Sequence, residues 1–221
     1  MVTAPEAPVV IPPAYITAVI LAGGRGSRMG GLDKGLQLFN GVPLVLHALK
    51  RLQPQVGSVV INANRNLAAY QSFGVPVVTD PDGLDEFAGP LAGVQAALQH
   101  CSTPYLLTVP CDAPLFPVDL AVRLAAALAP SPADIAVAAS LDSNATLREQ
   151  SVFCLIRVET LASLVAYTAA GGRKVSSWTT QHRVVQVPFN LTGDDANAFF
   201  NANTLAALEG LHSQIFKART H

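Results

Sequence analysis

Charge is scarce in this chain. Only 13% of its 221 residues are Asp, Glu, Lys or Arg, and 15 acids nearly cancel 14 bases, for a formal net charge of -1. That balance excludes a disordered acidic or basic chain. It also argues against a protein that holds nucleic acid by bulk charge, so no nucleic-acid partner is expected. Cysteine is sparse too. Cys101, Cys111 and Cys154 form neither a disulfide framework nor a C-x-x-C metal pair, and a reducing cytoplasm is the simple reading. Lys and Arg are absent from Met1 to Pro13, where Pro5, Pro8, Pro12 and Pro13 interrupt every apolar run. No secretory signal is expected there, and no stretch is apolar for long enough to span a bilayer. The segment 1–14 reads as a frayed, Pro/Ala-rich tail.

Hydrophobic residues are plentiful, at 50% of the chain. They form short β-rich runs that alternate with helical patterns. Strands are expected at 16–21, 58–61, 75–79, 105–109 and 135–139. Helices are expected at 43–52, 67–73, 90–100 and 117–128. The second half is less regular: a strand over 151–156, a helix over 158–170 broken at Gly171-Gly172, a strand over 183–187, and a last helix capped by Asn203 or Thr204. Continuous apolar strands separated by helices indicate an α/β fold: three layers, a Rossmann-like, mainly parallel sheet with helices on both faces. In such sheets ligands bind beyond the carboxyl ends of the strands. Gly23 to Lys34, Asn62, Asp80 and Asp112 all follow strand ends.

The first of these segments is rich in glycine. Leu21-Ala22-Gly23-Gly24-Arg25-Gly26-Ser27-Arg28-Met29-Gly30-Gly31-Leu32-Asp33-Lys34 holds five glycines, two arginines and a lysine. Glycines bring amide N–H groups close to an anion, and the cations add mobile positive charge. A polyphosphate needs both. A Walker A loop is excluded, because Gly-Lys occurs nowhere in the chain. A dinucleotide fingerprint is excluded as well: Met29 stands where its third glycine belongs, and no acid lies between Asp33 and Asp80.

Residues 21–34 resemble the signature of nucleotidyltransferases with a GT-A-like fold, in the form that is similar to the molybdenum cofactor guanylyltransferase family. The resemblance continues, in order and approximate spacing, through Val59 to Arg65, Asp80, Gly89-Pro90-Leu91-Ala92-Gly93, Pro110-Cys111-Asp112-Ala113-Pro114 and Phe200-Asn201-Ala202-Asn203-Thr204. It spans nearly the whole chain and implies one nucleotidyltransferase domain over 15–221. The implied reaction is attack by the terminal phosphate of molybdopterin on the α-phosphate of GTP, with pyrophosphate leaving. Nucleophile and target are both anionic, so positioning and charge neutralisation would carry catalysis. Molybdenum insertion and molybdoenzyme delivery proteins are the further partners such a reaction suggests.

The resemblance assigns the site residue by residue. Leu21, Ala22, Gly23 and Gly24 match contacts to guanine and ribose phosphate. Lys34 matches a phosphate-contacting lysine, although a solvated surface position is the commonest fate of Lys. Arg25 and Arg28 would face the leaving pyrophosphate, with exposed loop arginines as the rival. Asp112 is the expected Mg²⁺ ligand, with Asn201 or Asn203 in support; Asn203 serves equally as a helix cap. Asn62 and Asp80 suit guanine, Asn62 because it both donates and accepts and Asp80 because it accepts from N–H groups, with orientation of the metal site as the alternative for Asp80. Each also suits an Asx turn. Cys111 reads as a buried neighbour, since a hard cation prefers oxygen. Arg148, Arg173 and Lys174 are the expected pterin-side cations. Gln150-Ser151 stands where relatives usually carry His-Pro, which leaves the details of pterin recognition open. Three rivals remain: a cytidylyl version of the enzyme, a sugar-phosphate nucleotidyltransferase, and a non-catalytic nucleotide-binding delivery protein. Relatives of the cytidylyl type usually carry Leu-Ala-Ala-Gly in place of Leu21-Ala22-Gly23-Gly24, which favours GTP.

Overall fold

Among the described residues, the strand Ile16–Leu21 (β1) is an interior strand of a seven-stranded sheet, third from one edge. A computed structural model describes residues 10–24, 32–83 and 89–201. Arg25, Arg28, Asn203 and the expected last helix lie outside the described residues, as does the tail over 1–9. At the inner end of the expected tail, Ile11 is buried in the core.

Five more sheet strands run parallel to β1: Ser58–Asn62 (β4), Val77–Val78 (β5), Tyr105–Pro110 (β6), Ile135–Leu141 (β7) and Val184–Pro188 (β9). Leu147–Arg157 (β8) is antiparallel to both β6 and β7. The order is β5-β4-β1-β6-β8-β7-β9. The chain therefore builds outward from β1 to β5, then returns to lay β6 on the other side of β1. That reversal is where open α/β sheets leave a crevice for ligands.

Both faces are covered, because successive side chains of a strand point to opposite faces. From β1, Ile16, Ala18 and Ile20 enter one apolar cluster with Leu44–Leu52 (α1) and Leu120–Leu128 (α4). Val19 enters the other with Pro90–His100 (α3) and Leu161–Ala169 (α5). Trp178, on the short helix Val175–Thr179 (α6), is fully buried in the second cluster, and its indole N–H donates to Ser163 Oγ at 3.3 Å. Each fully buried Leu, Ile or Val contributes about 1.5–3 kcal/mol, so the apolar strands are the main source of cohesion.

Several boundaries differ from expectation. The helix expected from Pro43 starts at Leu44, because Pro43 pairs with Leu38 in a hairpin of Leu38–Phe39 (β2) and Val42–Pro43 (β3). Its turn is Asn40-Gly41, both at positive φ (52° and 74°), the backbone a tight hairpin turn demands. The helix expected over 158–170 begins with a 3₁₀ turn at Val158–Thr160. The helix expected over 67–73 is the shorter Leu67–Gln71 (α2).

Candidate active site

Three strand ends lie side by side. Leu21 of β1 is in register with Asn62 of β4 on one side and with Pro110 of β6 on the other. Asn62 is in turn level with Val78 of β5. The bonding continues one residue beyond: Ala22 N–H donates to Asn62 O at 2.9 Å, Cys111 N–H to Leu21 O at 3.1 Å, and Ala63 N–H to Val78 O at 3.0 Å. Sheet register alone thus delivers Leu21, Ala22, Gly23, Asn62, Asp80 and Asp112 to one edge.

At the β6 end, Lys34 Nζ donates to Asp112 Oδ2 at 3.0 Å, with both side chains largely sheltered. Lys34 opens a 3₁₀ turn, Lys34–Leu36, and the residue before it anchors that turn. Asp33 is buried. Its carboxylate accepts from the hydroxyl of the fully buried Tyr70 and, at 2.9 Å, from Asn66 Nδ2. Arg65 Nε lies 3.7 Å from the same carboxylate. Burial and Asp33 together hold the Tyr70 hydroxyl far above its ordinary range. Gly35 is required here, because a Cβ on it would lie 2.5 Å from the Tyr70 oxygen. Cys111 is buried; desolvation, then the carboxylates of Asp112 and Asp33, push its thiol well above the ordinary value.

At the β4–β5 end the centre is Asp80. Asn62 Nδ2 donates to its Oδ1 at 2.8 Å and to Val78 O at 3.3 Å. Asn64 Nδ2 donates to its Oδ2 at 2.7 Å, while the Asp80 N–H donates back to Asn64 Oδ1 at 2.9 Å. Asn62 was expected to both donate and accept toward a base. Its amide N–H₂ is occupied by protein, so the atom it has left to offer is an acceptor. Two glycines make room for this cluster. A Cβ on Gly93 would meet Asn62 Oδ1 at 2.2 Å, and one on Gly23 would meet Asn64 Nδ2 at 2.8 Å and Asn62 Oδ1 at 3.0 Å.

The remaining expected residues are spread more widely. Gly24 is exposed, and its carbonyl accepts from Arg65 Nη2 at 3.3 Å. The same nitrogen donates to Leu32 O at 3.0 Å, so one guanidinium holds both flanks of segment 25–31. Arg148 sits on the part of β8 that runs past the carboxyl end of β6, its Nε donating to Asp142 Oδ2 at 3.1 Å. Arg173 and the exposed Lys174 follow α5, and the Arg173 carbonyl lies 3.6 Å from the Cβ position of Gly89, at the start of α3. Asn201 is exposed. Sequence reading missed Asp33, Asn64, Arg65 and Tyr70. Asp33, Asn64 and Arg65 lie within the motifs at 21–34 and 59–65, but their partners are distant in sequence and leave no local signal.

A model of the MobA-like NTP transferase domain matches residues 18–186. The chain belongs to this family. It is 63% identical over 204 residues to the molybdenum cofactor guanylyltransferase of Acidovorax sp. strain JS42, covering 89% of this chain and 96% of that one. Identity to the molybdenum cofactor guanylyltransferase of Albidiferax ferrireducens is 59% over 209 residues, with coverage of 92% and 98%. Among solved structures, molybdopterin-guanine dinucleotide biosynthesis protein A from Archaeoglobus fulgidus superposes with a TM-score of 0.73 at 20% identity, covering 91% of this chain and 99% of that one. The chain is a nucleotidyltransferase, and such enzymes typically use a divalent metal.

The donor set bears on how such a metal could be held. Among the described residues no cluster of three or more His, Cys, Asp or Glu could cage an ion. Zinc takes most of its ligands from protein. Magnesium takes one or two carboxylates and fills the rest of its shell with phosphate and water oxygens. Asp112 supplies one carboxylate at the strand end, a donor set open to an ion that shares its shell with a polyphosphate. Among the described residues no helix is long and apolar enough to cross a membrane.

Proposed function

We propose that this chain transfers GMP from GTP to the terminal phosphate of molybdopterin, with Mg²⁺, and releases pyrophosphate. The observation that carries this reading is the pairing of two unlike sites on one sheet edge. Lys34 beside Asp112 suits a triphosphate, and Asp80 with Asn62 presents acceptors to a base whose edge carries donors. The high identity to relatives named as guanylyltransferases supports the same reading.

A phosphate oxygen of molybdopterin forms a bond to the α-phosphorus as the bond from that phosphorus to the α,β-bridging oxygen breaks. The electron pair leaves on pyrophosphate, and no covalent enzyme intermediate is needed. Asp112 would hold Mg²⁺, which would neutralise charge on the triphosphate. Lys34 turns from Asp112 toward a phosphate oxygen when the nucleotide arrives, and its ammonium meets the negative charge that develops there. Arg25 and Arg28 extend that role toward the leaving pyrophosphate. Leu21 to Gly24 offer backbone groups to base and ribose, and Asn201 or Asn203 supports Asp112.

Arg148, Arg173 and Lys174 are the acceptor-side cations of this reading. The position of Arg173 beside the start of α3 supports it, since a helix N-terminus also favours anions. The free state of all three cysteines supports a cytoplasmic setting. Residues 15–221 act as one domain, and molybdenum insertion and molybdoenzyme delivery proteins handle the acceptor and product. The test is incubation with GTP, Mg²⁺ and molybdopterin, read by mass. Pyrophosphate and the guanine dinucleotide are expected. Product from CTP but none from GTP overturns the guanine assignment, and product from a sugar phosphate alone overturns the acceptor.

A further inference from the structure

We propose that Asn64 is a specificity-positioning residue: it fixes the Asp80 carboxylate so that both oxygens face guanine together. The inference rests on the guanine reading above and deepens it.

The orientation of the Asn64 amide follows from its surroundings. The Asp80 backbone N–H can only donate, so the atom 2.9 Å from it must be Asn64 Oδ1. The opposite end of the amide is then Nδ2, 2.7 Å from Asp80 Oδ2. One side chain thereby grips the backbone and the carboxylate of the same residue. Asn62 Nδ2 takes the other carboxylate oxygen, Oδ1, at 2.8 Å, and its own amide is oriented by the Val78 carbonyl at 3.3 Å. Asn62 alone would leave Asp80 free to turn about a single contact. With Asn64 the carboxylate is held at both oxygens.

A carboxylate has about four acceptor directions. Two are used by the asparagines, and one remains on each oxygen. A fixed pair of acceptors is satisfied by two adjacent N–H donors, the bidentate geometry that makes charge-assisted pairs strong and selective. Guanine offers N1–H and N2–H₂ side by side. Adenine and cytosine each put an acceptor next to their amino group, and hypoxanthine has N1–H but no N2 amine. Recognition of the second donor depends on both carboxylate oxygens being in place, which is the contribution of Asn64. Asn64 is exposed and outside the hydrophobic clusters, so its removal spares the core.

The test compares GTP with ITP, which differ only in the N2 amine. Their dissociation constants are measured for the wild type, Asn64→Ala and Asn64→Asp, with CTP as control. The wild type should bind GTP at least tenfold tighter than ITP. Asn64→Ala should weaken GTP about tenfold while ITP changes less than threefold, so the GTP:ITP ratio collapses. Asn64→Asp keeps the shape but points a second carboxylate at Asp80, and should collapse the ratio at least as far. General destabilisation would weaken both nucleotides equally and leave the ratio standing. A wild type that prefers GTP to CTP, together with an Asn64→Ala variant that keeps the wild-type GTP:ITP ratio, overturns the role of Asn64 alone. A wild type without preference for GTP over CTP overturns the guanine reading and this inference with it.

Discussion

Substituting Gly93 by Ala sets local helix preference against packing, and the structure decides the sign. Gly93 is in the fourth position of α3. Inside a helix, Ala is favoured over Gly by about 1 kcal/mol, so a local view predicts stabilisation. The added methyl would stand 2.2 Å from Asn62 Oδ1, 2.7 Å from Asn62 Cγ and 2.8 Å from Leu21 Cδ2. Asn62 is only 3% exposed, and hydrogen bonds to Val78 and Asp80 hold it. The intrusion cannot be relieved by swinging a free tip into solvent. Overpacking typically costs about 1–3 kcal/mol, and loss of the bond to the Asp80 carboxylate adds about 1.5–3 kcal/mol. Set against the helix gain, the net effect is a loss of about 1.5–5 kcal/mol. Urea unfolding followed by circular dichroism measures it. GTP affinity, by calorimetry, should fall with it, because Asn62 would no longer orient Asp80. A Gly93→Ala protein as stable as wild type, with unchanged GTP affinity, would refute the packing argument.

Three further outcomes are expected. Lys34→Ala and Asp112→Asn should each lower turnover about 10²–10³-fold, the usual effect of removing one charge-stabilising group; steady-state kinetics with wild-type rates would remove both from the site. Tyr70→Phe deletes the donor to the buried Asp33 carboxylate and should cost about 1.5–3 kcal/mol of stability, read by urea unfolding. Alkaline pH should destabilise the fold through its buried thiols. Burial pushes Cys154 up to about 12 and Cys111 higher still, from an ordinary 9.0. Above pH 9 the unfolded chain has released these protons and the folded chain has not, so stability is full below pH 9 and falls as pH rises. Each thiol contributes a slope of about 1.4 kcal/mol per pH unit. Cys154→Ala should flatten the slope by that amount between pH 9 and 11, and an unchanged slope would exclude the mechanism.

The parallel strands were legible because each is a short apolar run closed by a polar strand exit. The residues at those exits could therefore be named before their partners were known. Ion pairs and amide clusters were not legible in the same way. Tyr70 and Asp33 are 37 positions apart, Asn64 and Asp80 16; the second pair meets through the register of β4 with β5, the first only when the helix α2 and the turn at Lys34 pack together. The start of β8 was hidden by Arg148, Glu149 and Gln150, polar residues that run past the end of β6 while the strand still pairs with β7. The small hairpin was overlooked although Asn40-Gly41 between apolar residues announces one. For the residues at 25–31 and 202–221, the sequence pattern carries the expectation.

The sheet order has a consequence for how such an enzyme can diverge. β1, β4 and β5 lie to one side of β6, and β8, β7 and β9 to the other. The strand that delivers Asp112 is the seam between them. Altering the turn between β7 and β8, or the loop after α5, leaves the register of β1 with β4 and of β4 with β5 untouched. With the base at Asp80 and the acceptor at Arg148 and Arg173, as proposed, base preference and acceptor preference would occupy separable inheritances on a shared spine, and selection could exchange one without renegotiating the other.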